Sequence, residues 1–275
     1  MIRLLKIEWL KNFSYRPFKI FSILYFGIMI LLLFIGLVDF EIFGNKVNLK
    51  EQGFYNFPEI WNFTTYTLGF FKLFLGCIIV FSICQEFSNR MFKQNIIDGL
   101  SKKEFLISKI LTILIFSGIS TLILFVITFI LGKNYSESQE NIFTEVFFVG
   151  HYFVELCLFF CFLMFLSFLF RKSVFVFLGY FVWLIVENVL HAVEQFSKVD
   201  ETNLKTIVEK TYYSNYLPLN TFSELIPAPF RRTNLAKMFG AEYQFEYPFG
   251  SLIMALFWIG IFIFGSYCIL KKRDW

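Results

Sequence analysis

The sequence predicts an all-α, polytopic membrane protein with six transmembrane helices, an N-terminal interfacial helix, and a short cytoplasmic helix between spans two and three. Three observations predict it. Hydrophobic residues make up 57% of the 275 residues and charged ones only 17%, where a soluble domain is about a quarter charged. The apolar residues come in blocks of about twenty, the length that crosses a bilayer as a helix, rather than at the periods of amphipathic elements. Lys and Arg gather in alternate gaps between the blocks, as the positive-inside rule asks of cytoplasmic segments.

Residues 1–17 read as an amphipathic interfacial helix: Ile2, Leu5, Trp9 and Phe13 recur at helical spacing, with Arg3, Lys6 and Lys11 mostly on other faces. A basic flank that merely sets topology is the plainer reading. The expected spans are 18–38, 61–84, 106–131, 144–170, 173–190 and 249–270. Trp61, Phe63 and Tyr66 open the second at an expected outer aromatic belt. The first block begins late, is too long for a signal-peptide core and has no small-x-small cleavage site, so it reads as a span. With both termini cytoplasmic, and with Lys19 at the very start of the first span counted on that side, fifteen of the 25 Lys and Arg residues fall inside, against five acids. Cys77, Cys84, Cys157, Cys161 and Cys268 all lie in apolar blocks, where packing is expected rather than a disulfide or metal ligation. The segment 191–248 is the one sizeable outer region. Its aromatic, proline-containing run from Tyr212 to Phe230 fits either a re-entrant element buried against protein or a compact external subdomain.

The polar stretch Glu86 to Lys109 separates spans two and three. Gly99 stands where a helix end wants a residue free to take positive φ. Ser101 and Glu104 form the S-x-x-E capping pattern that starts the next helix. The stretch therefore predicts a short helix over Phe87–Asp98, with Glu86 anchoring its start, then a turn and a helix entering the membrane. An ordinary solvated loop is the alternative. A helix across the mouth of two spans is well placed to take a push from a soluble partner. The cytoplasmic segments leave no room for a catalytic domain, and no phosphate-cradling glycine-lysine motif occurs. Any nucleotide drive has to come from another chain.

At these residues the chain resembles the permease subunit of type-2 ATP-binding-cassette (ABC) transporters, over nearly its whole length as topology. Glu86 matches the family's glutamate at the cytoplasmic end of span two. Ser101-Lys102 matches its Ser-Arg-like step and Ser108-Lys109 its Gly-Lys-like pair. Glu8 and Lys11 match its N-terminal Glu-x-x-Lys element. The departures are Asn89-Arg90 in place of Gly-Thr, and Ser108 in place of glycine. The resemblance implies a membrane-spanning subunit of an ATP-driven exporter in the cell (inner) membrane, with a substrate path at a permease dimer interface. It implies a second permease chain, the same or related, and separate cytoplasmic ATPase subunits that carry ATP and Mg; this chain binds no cofactor. The coupling segment 86–105, through Glu86, Phe87, Arg90, Met91, Lys93, Gln94, Ser101 and Lys102, would contact the ATPase. No nucleic-acid partner is expected.

Two other classes are compatible with the sequence: a membrane scaffold without transport, and an intramembrane enzyme. The second would use His151 and Glu155, with Glu187 and His191, two pairs at i, i+4 spacing that could also hold zinc. Lys72 and Glu155 fall at a similar depth in inward-running spans, roughly 16 Å down, where a charge facing lipid is costly. They either pair with each other, find separate partners, or line a cavity.

Overall fold

The computed structural model describes residues 8–9, 11, 15–35, 40–42, 45–47, 53–137, 141–197, 212–229 and 249–272. The expected apolar face of the N-terminal helix at Ile2, Leu5 and Phe13, much of the outer segment, and the tail beyond Lys272 lie outside these residues. Glu8, Trp9 and Lys11 are helical.

The helices are α1 (Arg16–Ile35), α2 (Glu59–Gly69), α3 (Lys72–Ser88), α4 (Met91–Ile97), α5 (Lys102–Tyr135), α6 (Phe147–Phe170), α7 (Ser173–Ser197), α8 (Thr221–Leu225) and α9 (Phe249–Lys272), with a 3-10 turn at Tyr213–Tyr216 before α8. Strands are not wholly absent: Phe40–Ile42 and Asn45–Val47 pair antiparallel, Phe40 opposite Val47. Among the described residues, four helices, α5, α6, α7 and α9, pass a test of length and hydropathy for crossing a membrane. They are five if α2 and α3 make one span.

That span departs from the uninterrupted 61–84 expected. It breaks between Gly69 and Lys72, and its halves are bent by 44°. A cause is local. Thr64, Thr65 and Thr67 turn their hydroxyls back onto the carbonyls of Ile60, Trp61 and Phe63, a habit that bends helices. The third expected span, α5, runs past the expected end at Leu131 to Tyr135, where the chain before α2 packs on it. The Phe57 ring lies so close to Gly132 that a Cβ there would collide with it, and the Phe57 amide donates to Ser136 Oγ at 3.1 Å. The fifth expected span, α7, runs to Ser197, past Leu190, so His191 belongs to it and not to a loop. The fourth expected span, α6, starts at Phe147 rather than residue 144.

The chain groups into two compact units. The first comprises Met1–Ile78, Ser108–Cys157 and Ile226–Tyr247. Its core joins α1, α2, α5 and the start of α6. Trp61, expected at a membrane surface, is fully buried here: it stacks on Phe125 at 5.4 Å and its indole N–H donates to the Ile142 carbonyl at 2.7 Å. The Thr128 hydroxyl reaches that of Thr64 at 3.0 Å. The second unit comprises Ile79–Ile107, Leu158–Leu225 and Pro248–Trp275. Phe262 of α9 packs on Phe162 and Phe165 of α6, and Gly265 leaves the room that the Phe165 ring occupies. Helix α7 keeps a broad apolar surface exposed, including Val174, Leu178, Val182, Ile185 and Val189. In a water-soluble monomer so continuous a surface would be a liability; against acyl chains it is matched.

Candidate functional site

Four polar or aromatic constellations stand out, two in each unit. In the second unit, α3 ends at Ser88, so Glu86 and Phe87 close that helix instead of opening the short one. The chain turns through Asn89 and Arg90, with Arg90 at φ 55, and the short helix is only Met91–Ile97. This corrects the Phe87–Asp98 helix expected from sequence. It also removes the favourable helix-start dipole for Glu86, since the C-terminal end of a helix disfavours a carboxylate. The reason is packing. Phe87 stays in register with α3 to meet Phe92, Phe105 and Phe168 at ring distances of 5.3, 6.5 and 6.0 Å. Phe92, on the inner face of α4, meets Phe105 at 4.7 Å. One aromatic cluster thus ties together the end of α3, the short helix, the start of α5 and the end of α6. On the other face Arg90, Lys93, Gln94 and Ile97 are exposed, Ile97 to 83%, while Met91 is half-buried.

The stop and start around the short helix are as the residues foretell. Gly99 takes φ 93, its amide donates to Ile96 and the Leu100 amide to Asn95, the Schellman pair that satisfies the last carbonyls. Glu104 Oε2 accepts the Ser101 amide at 2.9 Å, and Ser101 Oγ accepts the Glu104 amide at 3.2 Å, a complete capping box. Lys102, half-buried, opens α5.

In the first unit, the N-terminal helical residue Glu8 is buried and ion-paired with Lys109 at 2.8 Å, and Ser108 Oγ donates to its other oxygen at 3.1 Å. Burial by itself would push the Glu8 carboxyl up. The Lys109 charge and hydrogen bond, helped by Lys11 and Ser108, outweigh it and hold the carboxyl below its ordinary 4.5. The two sequence elements noticed separately, Glu8-x-x-Lys11 and Ser108-Lys109, are therefore two sides of one contact.

Also in the first unit, the Lys72 ammonium pairs with Glu155 Oε1 at 2.5 Å, and both side chains are largely buried. Next along α6, the Tyr152 hydroxyl shares a hydrogen bond with Tyr25 of α1, which shares another with Ser120 of α5. This hydroxyl chain is not among the contacts expected from sequence. Its signal was present, as polar tips inside three apolar blocks, but no spacing rule links residues so far apart. His151 is buried against the rings of Phe147 and Phe148.

In the second unit, one face of α7 holds the segment that follows it. Glu187 accepts the Trp183 indole N–H and the amides of Leu219 and Asn220. Glu194 accepts the amides of Tyr213 and Ser214 at 2.9 Å, and His191 Nδ1 lies 2.7 Å from Ser214 Oγ. Trp258 of α9 donates to the Tyr216 carbonyl at 2.8 Å. Glu187 and His191 are thus engaged with the segment 212–220. Among the described residues, no three of His, Cys, Asp and Glu are grouped as a metal site would need.

The family model described as ABC-2 family transporter protein matches residues 4–206, a range that holds the N-terminal helical residues, the broken span, the short helix and both buried ion pairs. The chain belongs to the ABC-2 transporter family. No curated protein matches it as a relative. As an ABC-2 permease subunit it is a multi-pass membrane protein of transport, not itself a catalyst. The matched range ends before α8 and α9, so it holds Glu187, His191 and Glu194 but not the segment 212–220 that they engage.

Proposed function

We propose that this ABC-2 permease is the membrane subunit of an ATP-driven exporter, moved by separate cytoplasmic ATPase subunits through the segment 86–105. The observation that carries the reading is the two-faced helix α4. Phe92 is locked into the aromatic cluster with Phe87, Phe105 and Phe168, so a push on the helix is transmitted to three longer helices rather than absorbed. The opposite face offers Arg90, Lys93, Gln94 and Ile97 to a partner, an apolar anchor rimmed by cations and an amide. ATP and Mg belong to the partner.

The topology proposed has six spans and both termini in the cytoplasm of a cell carrying the chain in its inner membrane. Helix α1, with 20 residues, is about 30 Å long, enough for the hydrocarbon core. The bent pair α2–α3 supplies the second span and the four long helices the rest. The segment 212–229 is read as re-entrant. Trp258, which holds Tyr216, lies about 14 Å along α9 from its start at Phe249. Two permease chains, identical or related, form the substrate path between them. The intramembrane-enzyme reading is disfavoured, because Glu187 already accepts three donors and Glu155, the carboxylate one turn from His151, is paired with Lys72.

The test is co-expression of the chain with its ATPase. Charge reversal at Arg90 and Lys93 together should cut transport by at least tenfold while the chain still reaches the membrane and the ATPase still hydrolyses ATP. Undiminished transport, with the exposed face of α4 open to labelling in the assembled complex, refutes the coupling role.

A further inference from the structure

The break in the second span and the buried ion pair meet at one place, in the first unit. Gly69 is the last residue of α2, and Lys72 is the first of α3. Glu155 touches both sides. Its Oε1 is bound by the Lys72 ammonium, and the same oxygen lies so near Gly69 that a Cβ there would stand 3.3 Å from it. One carboxylate from α6 therefore seats against the outer half of the broken span and holds the first side chain of the inner half.

The backbone at this point is built to bend. The Phe71 amide donates to the Leu68 carbonyl and the Phe74 amide to that of Phe71, at 3.0 and 3.1 Å, bonds that reach back three residues across the junction of the bent pair. Such tightened turns recur at functional hinges. In an apolar medium they keep amides partnered while the axis changes direction. Each half has a separate attachment. The outer half is fixed through Trp61 to Phe125 and Ile142, and through Thr64 to Thr128. The inner half leads along α3 to Phe87 in the aromatic cluster behind the short helix.

We propose that Phe70–Phe71 is a hinge and that the Lys72–Glu155 pair is its releasable pin, set when the halves stand at the observed angle and broken when they change it. The proposal rests on the transport reading for its purpose but not for its geometry. Both partners are positioning residues. At this depth neither charge can stay unpaired cheaply, so the pin gives the span a defined angle. Release requires a new partner or water for each group, which suits a step driven from outside the membrane.

The test is hydrogen exchange, followed by mass spectrometry, on the full chain in lipid nanodiscs without any ATPase. Failure of the transport reading leaves the result untouched. Glu155→Gln and Lys72→Met should each speed exchange of the amides from Phe70 to Phe74 by at least tenfold. Segments 60–66 and 76–82 should stay at wild-type rates. The charge-swapped pair, Lys72→Glu with Glu155→Lys, should bring the fast amides back to within about threefold of wild type. Gly69→Ala keeps both charges and crowds the carboxylate, so it should give an intermediate rise; it serves as a second arm where a charge variant fails to insert. Unchanged exchange at 70–74 overturns the pin. An equal rise across the whole span overturns the hinge, because the pair would then hold the fold in general.

Discussion

The contact between Glu8 and Lys109 allows the sharpest expectation outside the broken span. Both side chains are at most 5% exposed, so water does little to screen them. Removing one partner of a buried pair leaves the other charge unpaired and costs about 3–5 kcal/mol. Each 1.4 kcal/mol is tenfold in population, so Glu8→Gln or Lys109→Met should raise the detached population by roughly a hundredfold or more. Replacing both by methionine removes the two desolvation costs together and should recover most of the loss. The assay is a reversible SDS titration of the purified chain. Unfolding is followed by reaction of the buried thiols of Cys84, Cys157 and Cys161 with a fluorogenic maleimide. The pH dependence has a definite sign. The folded carboxyl lies below 4.5, so its stabilisation is fully present above that value and is lost as pH falls through the folded pKa. The gap between wild type and Glu8→Gln should therefore be constant from neutral pH down to 4.5 and close on further acidification. Additive losses in the double methionine variant, or a gap that closes on going alkaline, would refute the reasoning.

Ser101→Ala breaks the capping box and should cost about 1 kcal/mol, read as faster exchange in the first turn of α5, with Ser101→Asp restoring it. Gly132→Leu drives a side chain into the Phe57 ring and should destabilise by about 1–3 kcal/mol; pairing it with Phe57→Ala should give relief in the same titration. Glu187→Ala strands two amides and an indole N–H; the segment 212–220 should then become open to protease in intact vesicles, with the amount of inserted chain unchanged.

Sequence by itself determined what depends on composition and local chemistry. Twenty-residue apolar blocks can satisfy their backbone in lipid only as helices, so the helical class was legible at once. Gly99 and the Ser101–Glu104 box placed the turn before α5 because capping is settled within four residues. Tertiary structure decided the rest. The break at Gly69–Lys72 has no proline to announce it; threonine back-bonding and a carboxylate from α6 mark it, and the latter is invisible along the chain. Helix signals along the chain put Phe87 in the short helix because they do not reveal which neighbour a phenyl ring will join; contact with Phe168 keeps it in α3. Lys72 and Glu155 could be placed at one depth from sequence, and Glu8 and Lys109 recognised as separate elements. Which charge meets which depends on the rotation of each helix about its axis. In so apolar a chain nearly every face is hydrophobic, so that rotation is fixed by side-chain packing between helices rather than by periodicity.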